Sequence, residues 1–308
     1  MKKLTIILLA ILALTSCKQG NLDMLGMFYT KSDDADERFI QSEEWNNEHP
    51  MATVSVASDN YRIYTMTDIH VDTTTLNLDT FTAAFLQDVQ STQTLTAPFC
   101  FCLGDVINAV NNFPKFQAYI TKIENAGLRV YGTPGNHDLY YDQWEIYRSY
   151  WHTSHFPLVV QTPSGKRDLY VFVDSSSGTL GKLQTEWLRS LLKEASGEGY
   201  RHIVVCTHTH FWKKDQSQGH TSDFALEETY ELADMFGQYG VELVIQGHSH
   251  NRNVQQFKHV TYLRLDAMED HYYNAFYTIF SVGERIVWDY VPVGPQTHED
   301  NCPRVEGL

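Results

Sequence analysis

Strand-length apolar runs alternate with helical patterns between Tyr61 and Gln246, and this alternation constrains the fold more than any other feature of the chain. Most of the runs are rich in Val, Ile, Tyr and Phe; they are Tyr61–Thr67, Phe99–Leu103, Leu128–Gly132, Leu169–Val173, His202–Thr207 and Val241–Gln246. The helical patterns are Leu78–Val89, Lys115–Asn125, Leu183–Glu194 and Asp223–Phe236. Strands that alternate with helices in this way predict an α/β fold.

The pattern changes after Lys258. Three strand-length runs then follow one another with only short breaks, namely His259–Leu265, Phe276–Val282 and Arg285–Val291. This spacing predicts an antiparallel meander at the end of the fold. A chain of 308 residues is long enough to bury a substantial core, and the sequence shows neither an internal repeat nor a second domain.

Polar motifs follow five of the apolar runs. In chain order they are Asp68-x-His70, Gly104-Asp105, Gly135-Asn136-His137-Asp138, Thr207-His208 and Gly247-His248-Ser249-His250. Open α/β sheets bind their ligands at the carboxyl ends of the strands, which is where these motifs lie. Residues two apart on a strand face the same side, so each Asp-x-His or His-x-His pair can direct two ligands into one space.

Each motif is weak evidence by itself. A Gly-Asp pair is usually a turn, and a histidine after a strand is more often a hydrogen-bonded structural residue than a ligand. Gly135-Asn136-His137-Asp138 is more demanding, because turns seldom need His and Asp after Gly-Asn. Structural needs alone do not explain all five motifs in this order, and together they predict one polar site.

This motif series resembles the calcineurin-like metallophosphoesterases. The resemblance extends from Tyr61 to Val293 and includes Leu183-Gln184-Thr185-Glu186-Trp187-Leu188, which is similar to the helix that these enzymes carry after their fourth core strand. It implies a four-layer α/β/β/α sandwich with two mixed β-sheets and a dinuclear metal site at the strand C-terminal ends. The family domain would then span residues 51–308.

The resemblance also implies a role for each motif residue. One metal would be held by Asp68, His70 and His250, and the other by Asn136, His208 and His248. Asp105 would bridge the two ions with its carboxylate. The catalytic residues would be His137, which lies beside the scissile phosphate without binding metal, and Asp138, which polarises it.

The implied cofactors are two divalent transition-metal ions. Imidazole and oxygen ligands suit Mn, Fe, Zn, Co or Ni, and the sequence does not choose among them. The implied reaction is hydrolysis of a small phosphoester, either a phosphodiester or a phosphomonoester, by in-line attack of a hydroxide that bridges the metals.

The alternative is a catalytically inactive lipoprotein that binds a phosphate ligand. Retention of Asp105, Asn136 and His137 counts against that alternative, because these residues have no structural reason to stay.

Two positions leave details open. Either His208 or His210 could be the ligand of the fourth motif, and the position of His208 at the strand end favours it. Asn108 stands where purple acid phosphatases place an iron-binding tyrosine, so the sequence argues against a ferric purple centre. The amide of Asn108 would either contact the substrate or a ligand, or cap the loop.

The net charge of −15 limits the partners of the protein. An acidic surface repels polyanions, and no basic stripe is present, so we expect no nucleic-acid partner. A small phosphoester is not excluded, because bound divalent cations would be the largest local charges in the site. No protein partner is evident from the sequence.

The first sixteen residues have the shape of a bacterial lipoprotein signal peptide. Lys2 and Lys3 precede an apolar stretch, Leu4 to Leu14, that is shorter than a membrane span, and Leu14-Thr15-Ser16-Cys17 resembles a lipobox. We therefore expect export and a lipid on Cys17 that anchors the protein to a membrane of the bacterial cell envelope. An ordinary signal peptide and an uncleaved anchor are the alternatives.

Residues 17–50 are predicted to form an acidic tether that includes a helix docked on the domain. Export also permits disulfides, but the spacing of the remaining cysteines suggests none. Cys100 and Cys102 lie two apart in one apolar run, and Cys206 lies in another. We expect these to be buried free thiols.

Overall fold

The computed structural model describes residues 31–50, 53–71, 83, 86–87, 99–140, 143–213, 223–269 and 275–293. Its helices are α1 (Lys31–Glu48), α2 (Phe113–Asn125), α3 (Trp144–Trp151), α4 (Gly181–Ala195) and α5 (Leu226–Gln238). Its strands are β1 (Val54–Ser55), β2 (Tyr61–Met66), β3 (Phe99–Cys102), β4 (Arg129–Gly132), β5 (Phe156–Gln161), β6 (Arg167–Phe172), β7 (His202–Cys206), β8 (Leu243–Gln246), β9 (Asn253–Phe257), β10 (Val260–Arg264), β11 (Phe276–Val282) and β12 (Ile286–Pro292).

The strands form two mixed sheets. One has seven strands in the order β1-β5-β6-β7-β8-β10-β9, and the other has five in the order β12-β11-β2-β3-β4. Parallel neighbours such as β2–β3 and β6–β7 occur beside antiparallel neighbours such as β5–β6 and β11–β12. The predicted α/β class with two mixed sheets is therefore confirmed.

Three hydrophobic clusters separate four layers of structure. The first packs α2 and α3 against the outer face of the five-stranded sheet, the second lies between the sheets, and the third packs α4 and α5 on the seven-stranded sheet. Successive residues of β3 show why its sequence is continuously apolar. Phe99 and Phe101 point into the middle cluster, whereas Cys100 and Cys102 point into the helix-covered one.

The predicted strand runs and three of the helical patterns are present with small shifts at their ends. Of the helical pattern Leu78–Val89, the structure describes residues 83, 86 and 87, which are helical; the rest lies outside the described residues, as do Cys17 and Cys302. Cys100, Cys102 and Cys206 are free and buried, as expected. Among the described residues, none of the helices combines the length and hydropathy that a membrane span requires.

The predicted C-terminal meander is wrong for its first segment. β10 pairs in parallel with β8 and antiparallel with β9, so it belongs to the seven-stranded sheet. β11 and β12 form the predicted antiparallel pair, but in the five-stranded sheet, where β11 also pairs with β2. The eleven residues between β10 and β11 can connect strands of one sheet or of two sheets, so the breaks between the runs do not reveal a change of sheet.

Helix α1 packs along α4. Arg38 of α1 donates from Nε to Asp174 Oδ2 at 2.8 Å, and this ion pair is buried on both sides. Asp36 Oδ1 accepts a hydrogen bond from the backbone N–H of Leu183 at 2.8 Å. Phe39 stacks on His155 with ring centroids 4.4 Å apart.

Candidate metal centre

The carboxyl ends of five strands bring the predicted ligands together. Asp68 and His70 follow β2, Asp105 follows β3, Asn136 follows β4, His208 follows β7, and His248 and His250 follow β8. The first three strands belong to the five-stranded sheet and the last two to the seven-stranded sheet. The candidate site therefore exists only where the ends of both sheets meet.

Five of these residues have left-handed backbone conformations. The φ angles are 52° at Asp68, 48° at His70, 50° at Asp105, 77° at His248 and 56° at His250. Such angles are uncommon for residues other than glycine, and they concentrate at functional sites because the surrounding structure has to enforce them. Backbone hydrogen bonds, Asp68 N–H to Gly104 O and His70 N–H to Asp105 O, both at 3.0 Å, hold the first motif against the second.

Two of the motif glycines allow these loops to approach closely. A Cβ atom on Gly135 would lie 2.2 Å from Asp105 Oδ1, and one on Gly247 would lie 2.1 Å from Thr67 Oγ1. Both distances are far below van der Waals contact. Glycine is therefore required at these positions by space, although neither residue has a chemical role.

The first group of ligand atoms consists of Asp68, His70 and His250. His70 Nε2 lies 3.0 Å from His250 Nε2, and His250 Nε2 lies 3.5 Å from Asp68 Oδ1. Asp68 is fixed in turn by the backbone N–H of His248, which donates to Asp68 Oδ2 at 2.9 Å. This hydrogen bond joins the first motif to the last one.

The second group consists of Asn136, His208 and His248. His208 Nε2 lies 3.2 Å from both Asn136 Oδ1 and His248 Nδ1. The other ring nitrogen of His208, Nδ1, lies 2.7 Å from the backbone oxygen of Leu103 and donates to it, so Nε2 is the nitrogen directed at the cluster.

Asp105 lies between the two groups. Its Oδ2 is 3.8 Å from His70 Nε2 and 3.2 Å from His208 Nε2. Its Oδ1 accepts a hydrogen bond from the backbone N–H of His137 at 2.8 Å. A carboxylate in this position has a ligand oxygen within reach of both groups, which is the geometry of a bridging ligand.

The surroundings of Asp105 favour the charged form of its carboxyl group. Burial raises the pKa of the Asp105 carboxyl, but the neighbouring His208 and His70 outweigh it and hold the pKa below its ordinary value. Burial likewise opposes protonation of His208, yet the Asp105 carboxylate raises the pKa of this imidazole to about 10. Without a metal ion, a proton on His208 thus supplies the positive charge that Asp105 requires.

The donor set fits divalent transition-metal ions. Pairs of imidazole nitrogens 3.0 and 3.2 Å apart direct their lone pairs at common points, together with carboxylate and amide oxygens. Burial lowers the pKa of His70 and of His248, which favours the neutral imidazole that binds a metal. These residues could therefore hold two such ions.

Asn108 contacts a ligand rather than simply capping its loop. Its Oδ1 lies 2.9 Å from His70 Nδ1, and its Nδ2 donates to the backbone oxygen of His70 at 3.3 Å. The amide oxygen accepts the Nδ1 proton and leaves His70 Nε2 directed at the cluster. Of the two roles that the sequence left open for Asn108, the structure shows the contact with a ligand residue.

His137 lies next to the first group without belonging to its closest contacts. Its ring is 4.6 Å from the ring of His70, edge to face, and 4.7 Å from that of Tyr140. The side chain is partly exposed, and one of its ring nitrogens lies within 4.8 Å of the ligand atoms of His70 and Asp105. This is the position in which a histidine can give a proton to, or stabilise charge on, a group held beside the cluster.

Asp138 is buried and binds backbone N–H groups. Its Oδ1 accepts from Val106 at 2.9 Å and Ile107 at 3.3 Å, and its Oδ2 accepts from Gly135 at 2.8 Å. Burial and the nearby Asp105 raise the pKa of Asp138 to about 7. In the described chain this carboxylate joins the loops after β3 and β4, and its predicted polarising effect on His137 stays a prediction.

His210 lies on the far side of His248 from the second group. Its Nε2 is 3.2 Å from Ser249 Oγ, and its ligand nitrogen forms a further convergent group with His248 and Asp223. Burial, followed by the charge of Arg264, lowers the pKa of His210 to about 2. The geometry thus places His208 among Asp105, Asn136 and His248, and it places His210 outside them.

Sequence reasoning missed Asp223 and the contact between Tyr140 and Asn136. Asp223 Oδ2 lies 3.7 Å from His248 Nε2, and Tyr140 accepts a hydrogen bond from Asn136 Nδ2 at 2.6 Å. Tyr140 follows the third motif directly, and that proximity was the only available signal. Asp223 is 25 residues from the ligand that it approaches, so only the tertiary structure reveals it.

A cavity of about 590 Å³ opens onto the cluster. It contains the ligand residues Asn136 and His248, and its other walls come from α1, from the loop after Asn136 and from residues near Ser176 and Asp223. This volume is typical of small-molecule sites, which gives the cluster an accessible space for a substrate.

Comparison with solved structures supports the fold. The chain is similar to GAP50, the anchor in the inner membrane complex of Plasmodium, with a TM-score of 0.58 at 13% identity over 80% of this chain and 90% of that one. A dimetal phosphatase from Danio rerio gives a TM-score of 0.54 at 10% identity, over 76% of this chain and 98% of that one. The purple acid phosphatase PPD1 from yellow lupin seeds gives 0.56 at 12% identity, over 79% of this chain but only 53% of that one.

At such identities these similarities concern the fold alone, and no curated protein sequence matches the chain. The sequence itself, however, matches the family model described as calcineurin-like phosphoesterase over residues 61–252. This range holds all five motifs and more than half of the chain. The chain therefore belongs to the calcineurin-like phosphoesterase family, whose members typically bind divalent metals.

Proposed function

We propose that the protein hydrolyses a small phosphoester with two divalent transition-metal ions bound at the strand ends. The observation that carries this proposal is the position of Asp105, whose Oδ2 lies within 4 Å of ligand nitrogens from both groups. Asp68, His70 and His250 would hold one ion, and Asn136, His208 and His248 the other. When bound, two such ions neutralise phosphate charge and activate water for attack on phosphorus.

The residues of the chain provide the rest of the reaction. The protein would place the phosphate against the cluster, in the cavity that contains Asn136 and His248. His137 would face the leaving oxygen and give it a proton, or donate a hydrogen bond to the phosphoryl oxygens as their charge grows. Asp138 would keep the loops of Asp105 and Asn136 in register through its three backbone hydrogen bonds.

Hydrolysis of chromogenic esters tests the proposal. The full chain, freed of metal and then supplied with Mn²⁺, should release p-nitrophenol from bis(p-nitrophenyl) phosphate or p-nitrophenyl phosphate, and chelator should abolish the release. The ratio of the two rates also shows whether diesters or monoesters are preferred. Turnover of neither ester with any of Mn, Fe, Zn, Co and Ni would favour the inactive phosphate-binding lipoprotein instead.

We also propose that the protein is exported and lipid-anchored through Cys17, which lies outside the described residues. The support is the sequence of residues 1–17, whose basic start, short apolar stretch and Leu-Thr-Ser-Cys ending agree with one another. Cys17→Ser should move the protein from the membrane fraction of a bacterial host to the soluble fraction. Cys100→Ser is the control and should leave the distribution unchanged, and membrane association of Cys17→Ser would contradict the anchor.

A further inference from the structure

Helix α1 forms one wall of the cavity that opens onto the metal centre. Asp34, Glu37, Arg38 and Gln41 of α1 line the same cavity as the ligand residue His248. The helix ends at Glu48, before residue 61, where the match to the family model begins. This wall therefore lies outside the range that matches the family model.

The position of the wall is fixed by buried contacts. The ion pair between Arg38 and Asp174 holds the middle of α1, and the hydrogen bond from Leu183 to Asp36 holds the turn before it. Gln41 Oε1 accepts hydrogen bonds from Trp144 Nε1 at 2.6 Å and from Arg148 Nη1 at 3.0 Å, which ties α1 to α3 across the cavity.

Beyond the ligand residues, the charged groups that line the cavity are mostly negative. Asp34, Glu37, Glu145 and Asp223 contribute four carboxylates, and Arg38 contributes the single guanidinium of the lining. Arg38 is only 6% exposed, and its charge is matched by Asp174. Glu145 is likewise paired, with Arg148 at 3.3 Å, so the excess negative charge comes from Asp34, Glu37 and Asp223. An anionic organic group would be repelled here, whereas a cationic one would be attracted.

Two aromatic side chains complete this part of the cavity. Tyr140 is 45% exposed, and its hydroxyl is held by Asn136. Trp144 lines the cavity with its indole N–H committed to Gln41, so the orientation of the ring is set. Aromatic rings beside carboxylates are a suitable environment for an ammonium group.

We propose that the substrate is a phosphoester whose organic group carries a primary or quaternary ammonium, bound between α1 and the rings of Tyr140 and Trp144. This inference rests on the proposed function, because the phosphate has to occupy the metal centre. An ester held there by its phosphate has to place its organic group in the adjoining cavity, and that cavity has acidic and aromatic walls. Helix α1 thus makes the site selective for substrates whose organic group carries the ammonium.

A matched pair of substrates isolates the positive charge. The p-nitrophenyl ester of phosphocholine and 3,3-dimethylbutyl p-nitrophenyl phosphate have the same shape and leaving group, and differ in a quaternary nitrogen against a carbon. The full chain with Mn²⁺ should show a kcat/KM at least about five-fold higher for the choline ester at low salt. The preference should shrink as salt screens the exposed carboxylates.

Two charge-neutralising variants locate the effect on α1. Asp34→Asn and Glu37→Gln, alone and combined, should bring the ratio of the two kcat/KM values toward one. Both side chains are exposed, so these changes do not threaten folding. Glu194→Gln, at an exposed position near the end of α4, is the matched control and should keep the wild-type ratio.

Equilibrium binding gives a second readout that needs no turnover. Phosphocholine should bind more tightly than 3,3-dimethylbutyl phosphate in calorimetry, and the difference should fall in the Asp34→Asn, Glu37→Gln variant. Equal kcat/KM values and equal affinities for the two compounds in the wild type would overturn this inference while leaving the proposed function intact. Loss of turnover for these esters and for bis(p-nitrophenyl) phosphate alike would instead overturn the proposed function.

Discussion

The histidines of this site differ in whether a hydrogen bond fixes the ring nitrogen that points away from the cluster. His70 and His208 each use Nδ1 for a partner outside the cluster, Asn108 Oδ1 and Leu103 O, and direct Nε2 inward. The part of the chain that the structure describes makes no such hydrogen bond to the ring of His137, which is partly exposed and contacts His70 and Tyr140. The two kinds of histidine should therefore respond differently to substitution.

His137→Asn should lower kcat by about 10²- to 10³-fold without changing the amount of metal bound, because the side chain acts on the substrate and not on the ions. Rate measurements with bis(p-nitrophenyl) phosphate, together with metal analysis, check this expectation. His49→Asn, on the exposed end of α1, is the control and should change neither quantity. Loss of an ion from the His137→Asn protein would show that His137 is a ligand.

The sequence predicted the site residues that lie in motifs. It did not predict the contacts that hold those residues in place. Spacing alone brought Asp68, His70, Asp105, Asn136, His208, His248 and His250 to attention, and the structure places these residues in one cluster. The contact of Asn108 with His70, and that of Asp223 with His248, depend on how loops from different strands meet. No local pattern encodes such a contact.

At the scale of helices and strands, the buried ion pair of α1 decides how firmly the helix docks. Arg38→Ala should lower the free energy of unfolding by about 3–5 kcal/mol, because it leaves the carboxylate of Asp174 buried without its partner. Urea unfolding measures this. The control is Arg189→Ala, which removes the exposed pair with Glu231 and should cost less than about 1 kcal/mol. Equal losses in the two variants would contradict the buried role of Arg38.

A histidine at the start of β7 joins the two sheets. His202 Nδ1 lies 2.5 Å from Glu242 Oε1, and its Nε2 lies 2.8 Å from the backbone oxygen of Gly283, in the turn between β11 and β12. Burial opposes protonation, but Glu242 and the Gly283 oxygen outweigh it and raise the pKa of His202 above its ordinary value. The protonated ring donates to both partners.

Because the pKa of His202 is higher in the folded state than in the unfolded one, its stabilisation is complete below about pH 6.5 and is lost as the pH rises through the folded-state value. His202→Gln should therefore be less stable than the wild type by about 1 kcal/mol at pH 6 and by less at pH 9. Urea unfolding of both proteins in chelator measures the two differences. The same difference at both pH values would show that the proton on His202 contributes nothing.

Strands with a run of Val, Ile, Tyr, Phe or Cys were predicted, among them β3 and β7, whose residues are all buried. β9 was missed because its sequence, Asn-Val-Gln-Gln-Phe, is mostly polar and only one of its residues is fully buried. The prediction of an antiparallel meander was wrong for a different reason, because β10 and β11 belong to different sheets. Sheet membership follows from pairing partners distant in sequence, and local periodicity carries no information about them.

At the scale of the whole molecule, the site depends on two sheets packed through one core. Phe101 of the five-stranded sheet packs edge to face on Phe172 of the seven-stranded sheet at 4.9 Å, directly beneath the ligand loops. Phe172 belongs to β6 and pairs with Cys206 of β7, so this packing sets the end of β3 relative to that of β7, and with it the distance from Asp105 to His208. The resemblance to a family anticipated this architecture, but it did not anticipate that α1 lines the cavity, because α1 precedes the matched range.

Metal titration of the metal-free full chain tests the central claim, a shared two-metal site bridged by Asp105, most directly. Turnover of bis(p-nitrophenyl) phosphate and bound metal are measured together as Mn²⁺ is added. The account predicts no turnover in chelator, full activity at about two ions per chain, and about one ion per chain with little activity in Asp105→Asn. Full activity with a single ion, or two ions and full activity in Asp105→Asn, would contradict it.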